Sequence, residues 1–178
     1  MHLDLMREVA ADFPKFDIRN EVTSLRIWHC KYRTLEGISQ FPNLHTLVVA
    51  TWPDTSISIL SEIDLEYLCI VHFPKIHDLA PLRDLQRLRS LSLQTLPSWD
   101  PSGKVQQVES LEPISRLSNL EHLELFGVVP ADKSLSAIEN CKKLVSARFS
   151  KYPKKEIIRF YAATGVSDAH LPKAEFEG

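Results

Sequence analysis

The sequence predicts a single α/β domain wound as a right-handed solenoid. A parallel β-sheet lines its concave side, short 3₁₀ or α-helical segments line its convex side, and a cap closes each end. Three observations predict it. One apolar spacing recurs along the chain at near-constant intervals. A second spacing, of threes, follows each copy. The segments at the two ends read as fitting neither.

The first spacing is clearest in Leu120-Glu121-His122-Leu123-Glu124-Leu125. Its copies are Val22-x-x-Leu25-x-Ile27, Leu44-x-x-Leu47-x-Val49, Leu65-x-x-Leu68-x-Ile70, Leu88-x-x-Leu91-x-Leu93 and a degenerate Leu144-x-x-Ala147-x-Phe149. The starts lie 22, 21, 23, 32 and 24 residues apart. The second spacing is Leu35, Ile38, Phe41; then Ile57, Leu60, Ile63; Leu79, Leu82, Leu85; Leu111, Ile114, Leu117; and Leu135, Ile138, Cys141. Threes suit a 3₁₀ or single helical turn that buries one edge. A strand followed by a short helix, repeated, stacks into a solenoid with its strands parallel.

These columns resemble the leucine-rich repeat superfamily over about residues 22–152. The stretch from Leu111 to Leu125 is similar to the 22-residue, short-helix type found in internalins and in regulatory subunits of protein phosphatase. The resemblance implies about six repeats and a binding role. The family places Asn at the ninth repeat position, where its amide satisfies loop backbone. Here that column reads Cys30, Trp52, Phe73, Leu96, Val128, Tyr152, and Pro follows directly at 53, 74, 97 and 153. Either an apolar stack with proline strand-stops replaces the polar ladder, or these loop positions have drifted.

The chain has 178 residues, 44% hydrophobic and 25% charged, with a formal net charge of −2. That is one ordinary domain. It lacks the basic balance of a nucleic-acid binder held by phosphate contacts. Cys30, Cys69 and Cys141 form no paired framework and no CxxC, which favours a reducing compartment. The N-terminus has early acids and no apolar core of a signal peptide, and no apolar run approaches the roughly 20 residues of a membrane span. A cytoplasmic location is expected.

Residues 1–21 are read as an N-terminal cap: Leu5, Met6, Val9, Ala10 and Phe13 on one face of a short helix ended by Pro14, then a short strand through Phe16 and Ile18. Repeats fill 22–152, with an inserted loop at 97–110. Insertions of this kind map to one face, often a binding face. Trp99 has no column to fill; it is either an exposed anchor or folded back over its own loop. Residues 153–165 read as a capping helix with Pro near its start and Gly past its end, covering the last slice with Ile157, Ile158, Phe160 and Tyr161. The tail 166–178 has no periodicity and reads as extended or loose.

Residues between the leucines point away from the core, because side chains alternate along a strand. Stacked, they form three columns. The first is Ser24, Thr46, Tyr67, Ser90, His122, Ser146; the second Arg26, Val48, Cys69, Ser92, Glu124, Arg148; the third Trp28, Ala50, Val71, Gln94, Phe126, Ser150. Val48, Ala50, Tyr67, Cys69 and Val71 make an apolar middle flanked by Trp28 and Phe126. An apolar centre with aromatic anchors and a polar border suits a protein-binding surface, although strands favour such residues in any case. The candidate partner-binding residues are Trp28, Val48, Tyr67, Val71, His122, Glu124, Phe126 and Arg148, with Trp99.

No enzyme is expected. Cys69 and His72 are the one thiol–base pair in an exposed row, and at strand rise they lie roughly 10 Å apart. His29 and His72 are too far apart to share a metal, and no phosphate-binding glycine loop is present. Neither cofactor nor metal is expected. The predicted function is protein–protein recognition through the concave sheet, with another protein as partner and neither nucleic acid nor membrane. Other readings are the recognition subunit of a multi-chain enzyme (phosphatase or ubiquitin-ligase type), a toxin-neutralising inhibitor, and a scaffold that self-associates weakly through its apolar strip.

Overall fold

The computed structural model describes residues 1–176. Among the described residues nine strands follow one another: β1 (His2–Met6), β2 (Ser24–Trp28), β3 (Thr46–Ala50), β4 (Tyr67–Val71), β5 (Ser90–Gln94), β6 (Gln106–Val108), β7 (His122–Phe126), β8 (Val128–Pro130) and β9 (Ser146–Ser150). Seven of them form one sheet in the order β1-β2-β3-β4-β5-β7-β9, while β6 and β8 pair separately. All pairings are parallel and in register by whole repeats: Leu25 faces Leu47, Leu47 faces Leu68, Leu68 faces Leu91 and Leu91 faces Leu123. Six strand spacings of about 4.8 Å make the sheet about 29 Å wide.

The convex side carries 3₁₀ segments at Glu36–Gln40, Ser58–Glu62, Ala80–Asp84 and Ser136–Asn140. Two single-turn helices, α1 (Trp99–Ser102) and α2 (Glu112–Ser115), belong to the fourth repeat. The spacing of threes is the hydrogen-bond period. Ile38 N–H donates to the Leu35 carbonyl and Phe41 N–H to that of Ile38, and the pattern recurs at Leu60, Leu82, Ile114 and Ile138. Those middle residues are fully buried, as are Leu25, Leu47, Leu68, Leu91 and Leu123 from the strands opposite. One continuous core therefore runs the length of the stack.

The N-terminal segment departs from expectation. The helix through Leu5 and Phe13 and the strand through Phe16 and Ile18 do not form. Instead His2–Met6 is a strand, with Leu3 opposite Leu25 and Leu5 opposite Ile27. Phe13 and Phe16 stand 22 residues before Leu35 and Ile38, and both pack on the core. The segment thus follows the spacing and register of the repeats beside it. Pairing of His2–Met6 with β2 satisfies backbone groups that a short helix would leave to solvent at its ends. Phe13 lies so close to Gly37 that an added Cβ there would meet its ring at 2.5 Å.

Six of the seven turns off the sheet use the same backbone device. Arg7, His29, Thr51, His72 and Lys151 follow their strands with φ of 55°, 54°, 74°, 66° and 68°, and Gly127 does so with 71°. The left-handed residue turns the chain toward the convex side. At Gly127 the glycine is required twice, since a Cβ would also meet Thr95 Oγ1 at 2.4 Å.

The ninth column is largely apolar, as expected of a stack. Trp52, Phe73, Val128 and Tyr152 are buried, and the polar tips of Trp52 and Tyr152 donate to the Ser56 and Val128 carbonyls at 3.1 and 2.8 Å. Leu96 is not part of it. The inserted loop leaves at Leu96 and rejoins at Gln106, which pairs with Val128, so the excursion ends before residue 110. Gln106 is buried and its amide donates to the Ile76 carbonyl at 2.7 Å. A carboxamide thus keeps, in this one repeat, the backbone-satisfying role that the family gives to Asn.

At the other end α3 (Lys154–Thr164) starts after Pro153 and stops at Gly165, whose φ is 69°. Phe160 is fully buried, and Ile157 and Tyr161 pack beside it. Ile158 does not contribute as expected: it is 58% exposed, on the solvent side of the helix. Glu156 ties α3 to the last repeat, accepting from Leu135 N–H at 2.7 Å and from Arg159. The Arg159 guanidinium and that N–H pull its carboxyl down to about 2. The folded value is below the unfolded ~4.3, so this contribution is present above about pH 4.3 and is lost as pH falls toward 2. Glu156→Gln should therefore flatten the decline in urea-measured stability between pH 5 and 2.5, by about 1 kcal/mol or less after solvent screening. An unchanged decline would sink this assignment.

Candidate binding surface

The concave sheet presents the three columns in the predicted order, each lengthened by a residue of β1: His2, Asp4 and Met6. These three were not legible while β1 was read as helix. Asp4 alters the face most, because Arg26 is not a free charge at its edge. Its Nε donates to Asp4 Oδ1 at 2.9 Å, and this bond holds the Asp4 carboxyl below the usual range.

The apolar middle is only partly open: Ala50 is buried, while Tyr67, Cys69 and Val71 are half-buried. Val48 is 8% exposed and Ser92 1%. Burial pushes the Cys69 thiol up to about 11, so it stays protonated at neutral pH and is a poor nucleophile. The cover is the chain's own tail. Ser167 bridges to β9, accepting from Ala147 N–H and donating to the Val145 carbonyl, each at 3.0 Å. The tail then crosses the second column. Asp168 lies 3.4 Å from Arg148, His170 Nδ1 2.7 Å from the same guanidinium, and Leu171 N–H donates to Glu124 at 3.2 Å. At the far end the Phe176 ring lies 4.2 Å from that of His2 and 5.6 Å from the Arg26 guanidinium.

The predicted residues therefore fall into three places. Val48 and Glu124 are buried beneath the tail, and Glu124 also accepts from Ser92 Oγ at 3.3 Å. Arg148 is held by the tail and lies 5.4 Å over the Phe126 ring. Tyr67 and His122 line a groove of about 490 Å³ between the tail and the start of the strands, with His45, Glu66 and Arg89 beside them. His122 Nδ1 is 2.8 Å from Ser146 Oγ.

Trp28, Val71 and Phe126 remain half-exposed in the third column. Trp99 joins them. It is half-buried, folded back so that its ring meets His72 edge-on at 5.2 Å, with Lys104 Nζ 5.9 Å from it. Lys151 pins α1 through Asp100, at 2.7 Å to the carbonyl and 2.8 Å to the carboxylate. The loop and the sheet enclose a groove of about 280 Å³ lined by Gln94, Thr95, Leu96, Pro97 and Phe126. His29 and His72, weighed from the sequence only for metal or thiol chemistry, also lie at this surface. The left-handed turn after each strand sets the His29 ring against Trp28 and the His72 ring against Trp99.

Among the solved structures that share this architecture are two internalins. Internalin C2 of Listeria monocytogenes matches with a TM-score of 0.53 at 20% identity, covering 72% of this chain and 52% of that one. The internalin InlF of the same organism matches with a TM-score of 0.55 at 16% identity, covering 82% of this chain and 46% of that one. The fold is that of a leucine-rich repeat solenoid. The chain spans about half the length of the internalins it matches. No family model and no curated protein matches its sequence. Among the described residues no helix is long and apolar enough to cross a membrane.

Proposed function

We propose that this chain is a protein–protein recognition module that binds its partner on the concave sheet, with the loop bearing Trp99 at the border. The observation that carries the reading is the third column. Trp28, Val71 and Phe126 stand half-exposed on a rigid parallel ladder, beside the His72–Trp99 pair. Aromatic groups fixed in advance bind with little ordering cost, and such anchors dominate protein interfaces. A parallel sheet seldom keeps such groups wet without a use for them. The three free thiols Cys30, Cys69 and Cys141 suit a reducing compartment, and we place the module there.

The test is capture of a partner by the native chain and by a Trp28→Ala, Phe126→Ala variant. Retention by the native chain alone supports the concave site. Equal retention removes it.

A further inference from the structure

The tail fits its groove loosely. From Glu124 to Arg26 the second column crosses four strand spacings, about 19 Å. Residues 171 to 176 span about 17 Å when extended. The tail therefore runs straight across the strands, nearly at right angles to them. It adds no strand to the sheet in doing so. Beyond Ser167, among the described residues, its one backbone bond to the body is Leu171 N–H to the Glu124 carboxylate. The other attachments are exposed side-chain contacts: Asp168 and His170 to Arg148, and Phe176 between His2 and Arg26. Only Leu171 and Ala174 are half-buried; the rest of 167–176 is exposed. Contacts of this kind are individually weak and screened by salt, while ordering each residue of a segment has a cost.

The groove is also wider than its occupant. The space of about 490 Å³ left beside Pro172, Lys173 and Glu175 is walled by His45, Tyr67 and His122. Yet the floor under the tail is suited to being covered. Val48 and Cys69 are apolar, and Glu124 has Ser92, Arg148 and the Leu171 N–H as partners.

We propose that residues 168–176 are a detachable strap, and that an extended segment of the partner protein with the same chemistry takes its place. The partner segment would carry a carboxylate to meet Arg148, then an apolar side chain whose own N–H reaches Glu124. An aromatic ring five residues further on would enter between His2 and Arg26. This rests on the reading of the concave sheet as the recognition surface. In the free chain the strap is a self-ligand that raises the threshold for binding.

The experiment uses the full chain and a full-length Leu171→Asp, Phe176→Ala variant. Both changes lie on exposed or half-exposed tail positions, so thermal unfolding should match. Two readouts follow: the maleimide modification rate of Cys69, mapped by mass spectrometry, and anisotropy of a labelled peptide of residues 166–176 added in trans. Loosening the strap should speed Cys69 modification at least tenfold and tighten peptide binding at least tenfold. Equal rates and equal peptide affinities for the two chains overturn the strap. So does a concentration-dependent native dimer whose Cys69 becomes reactive on dilution, because the occupant would then be a neighbouring copy's tail. A partner that binds both chains equally overturns the strap as its competitor. The recognition reading itself fails on a different result, equal capture by the native chain and by the Trp28→Ala, Phe126→Ala variant. That result leaves the Cys69 and peptide readouts untouched.

Discussion

Phe160→Ala is expected to lower the unfolding free energy by about 3–5 kcal/mol, the range for truncating a fully buried aromatic ring. Phe160 is 0% exposed, and its ring meets Phe149 edge-on at 5.1 Å. Phe149 belongs to the degenerate last strand, where Ala147 stands in the leucine column and leaves space. The two rings together fill the last slice of the stack. A solenoid holds each repeat through its neighbours, so an opened end weakens the repeat beside it as well. The loss is large against a typical total of about 5–15 kcal/mol. Ile158→Ala is the control on the same helix, and at 58% exposure it should change stability by about 0.5 kcal/mol or less. Urea unfolding of both variants checks the contrast. Equal, small losses would mean that α3 does not close the core.

Replacing Trp28 and Phe126 together is expected to weaken partner binding on the order of 10³-fold. Each is a candidate anchor, and truncating such a residue costs about 2 kcal/mol or more, which is about 30-fold. They sit on β2 and β7, four spacings or about 19 Å apart, beyond the range at which neighbouring substitutions couple strongly. Both side chains lie on the sheet face away from the core. Stability should therefore change by about 1 kcal/mol or less, which separates lost binding from lost folding. Titration of the captured partner against each chain measures it.

Much of the fold is legible because its period is physical. A leucine at every turn of the stack must face inward, so Leu25, Leu47, Leu68, Leu91 and Leu123 declare their register. β1 was hidden because Leu3-x-Leu5 alone is a short match to the repeat, while Leu5, Val9 and Phe13 mimic a helical face. Gln106 was hidden by the insertion, which shifted the count by the length of the loop. The site was legible only as directions. Alternation tells that Val48 and Cys69 leave the core, yet not that the tail will cross their column. The tail has no repeat of its own, since it is placed by individual contacts to Arg148, Glu124 and Arg26 rather than by a ladder. Trp99 shows the same limit. Its column is absent from the sequence pattern, and its partner His72 comes from the preceding repeat.

The most direct measurement of concave-face recognition is site-specific photo-crosslinking in cells. One probe would replace Gln94, at the centre of the third column between Val71 and Phe126. A second would replace Ser58, exposed on the convex side. The expected result is one partner protein joined through position 94 and absent from position 58. Crosslinking of the partner through position 58, with none through position 94, would contradict recognition on the concave sheet.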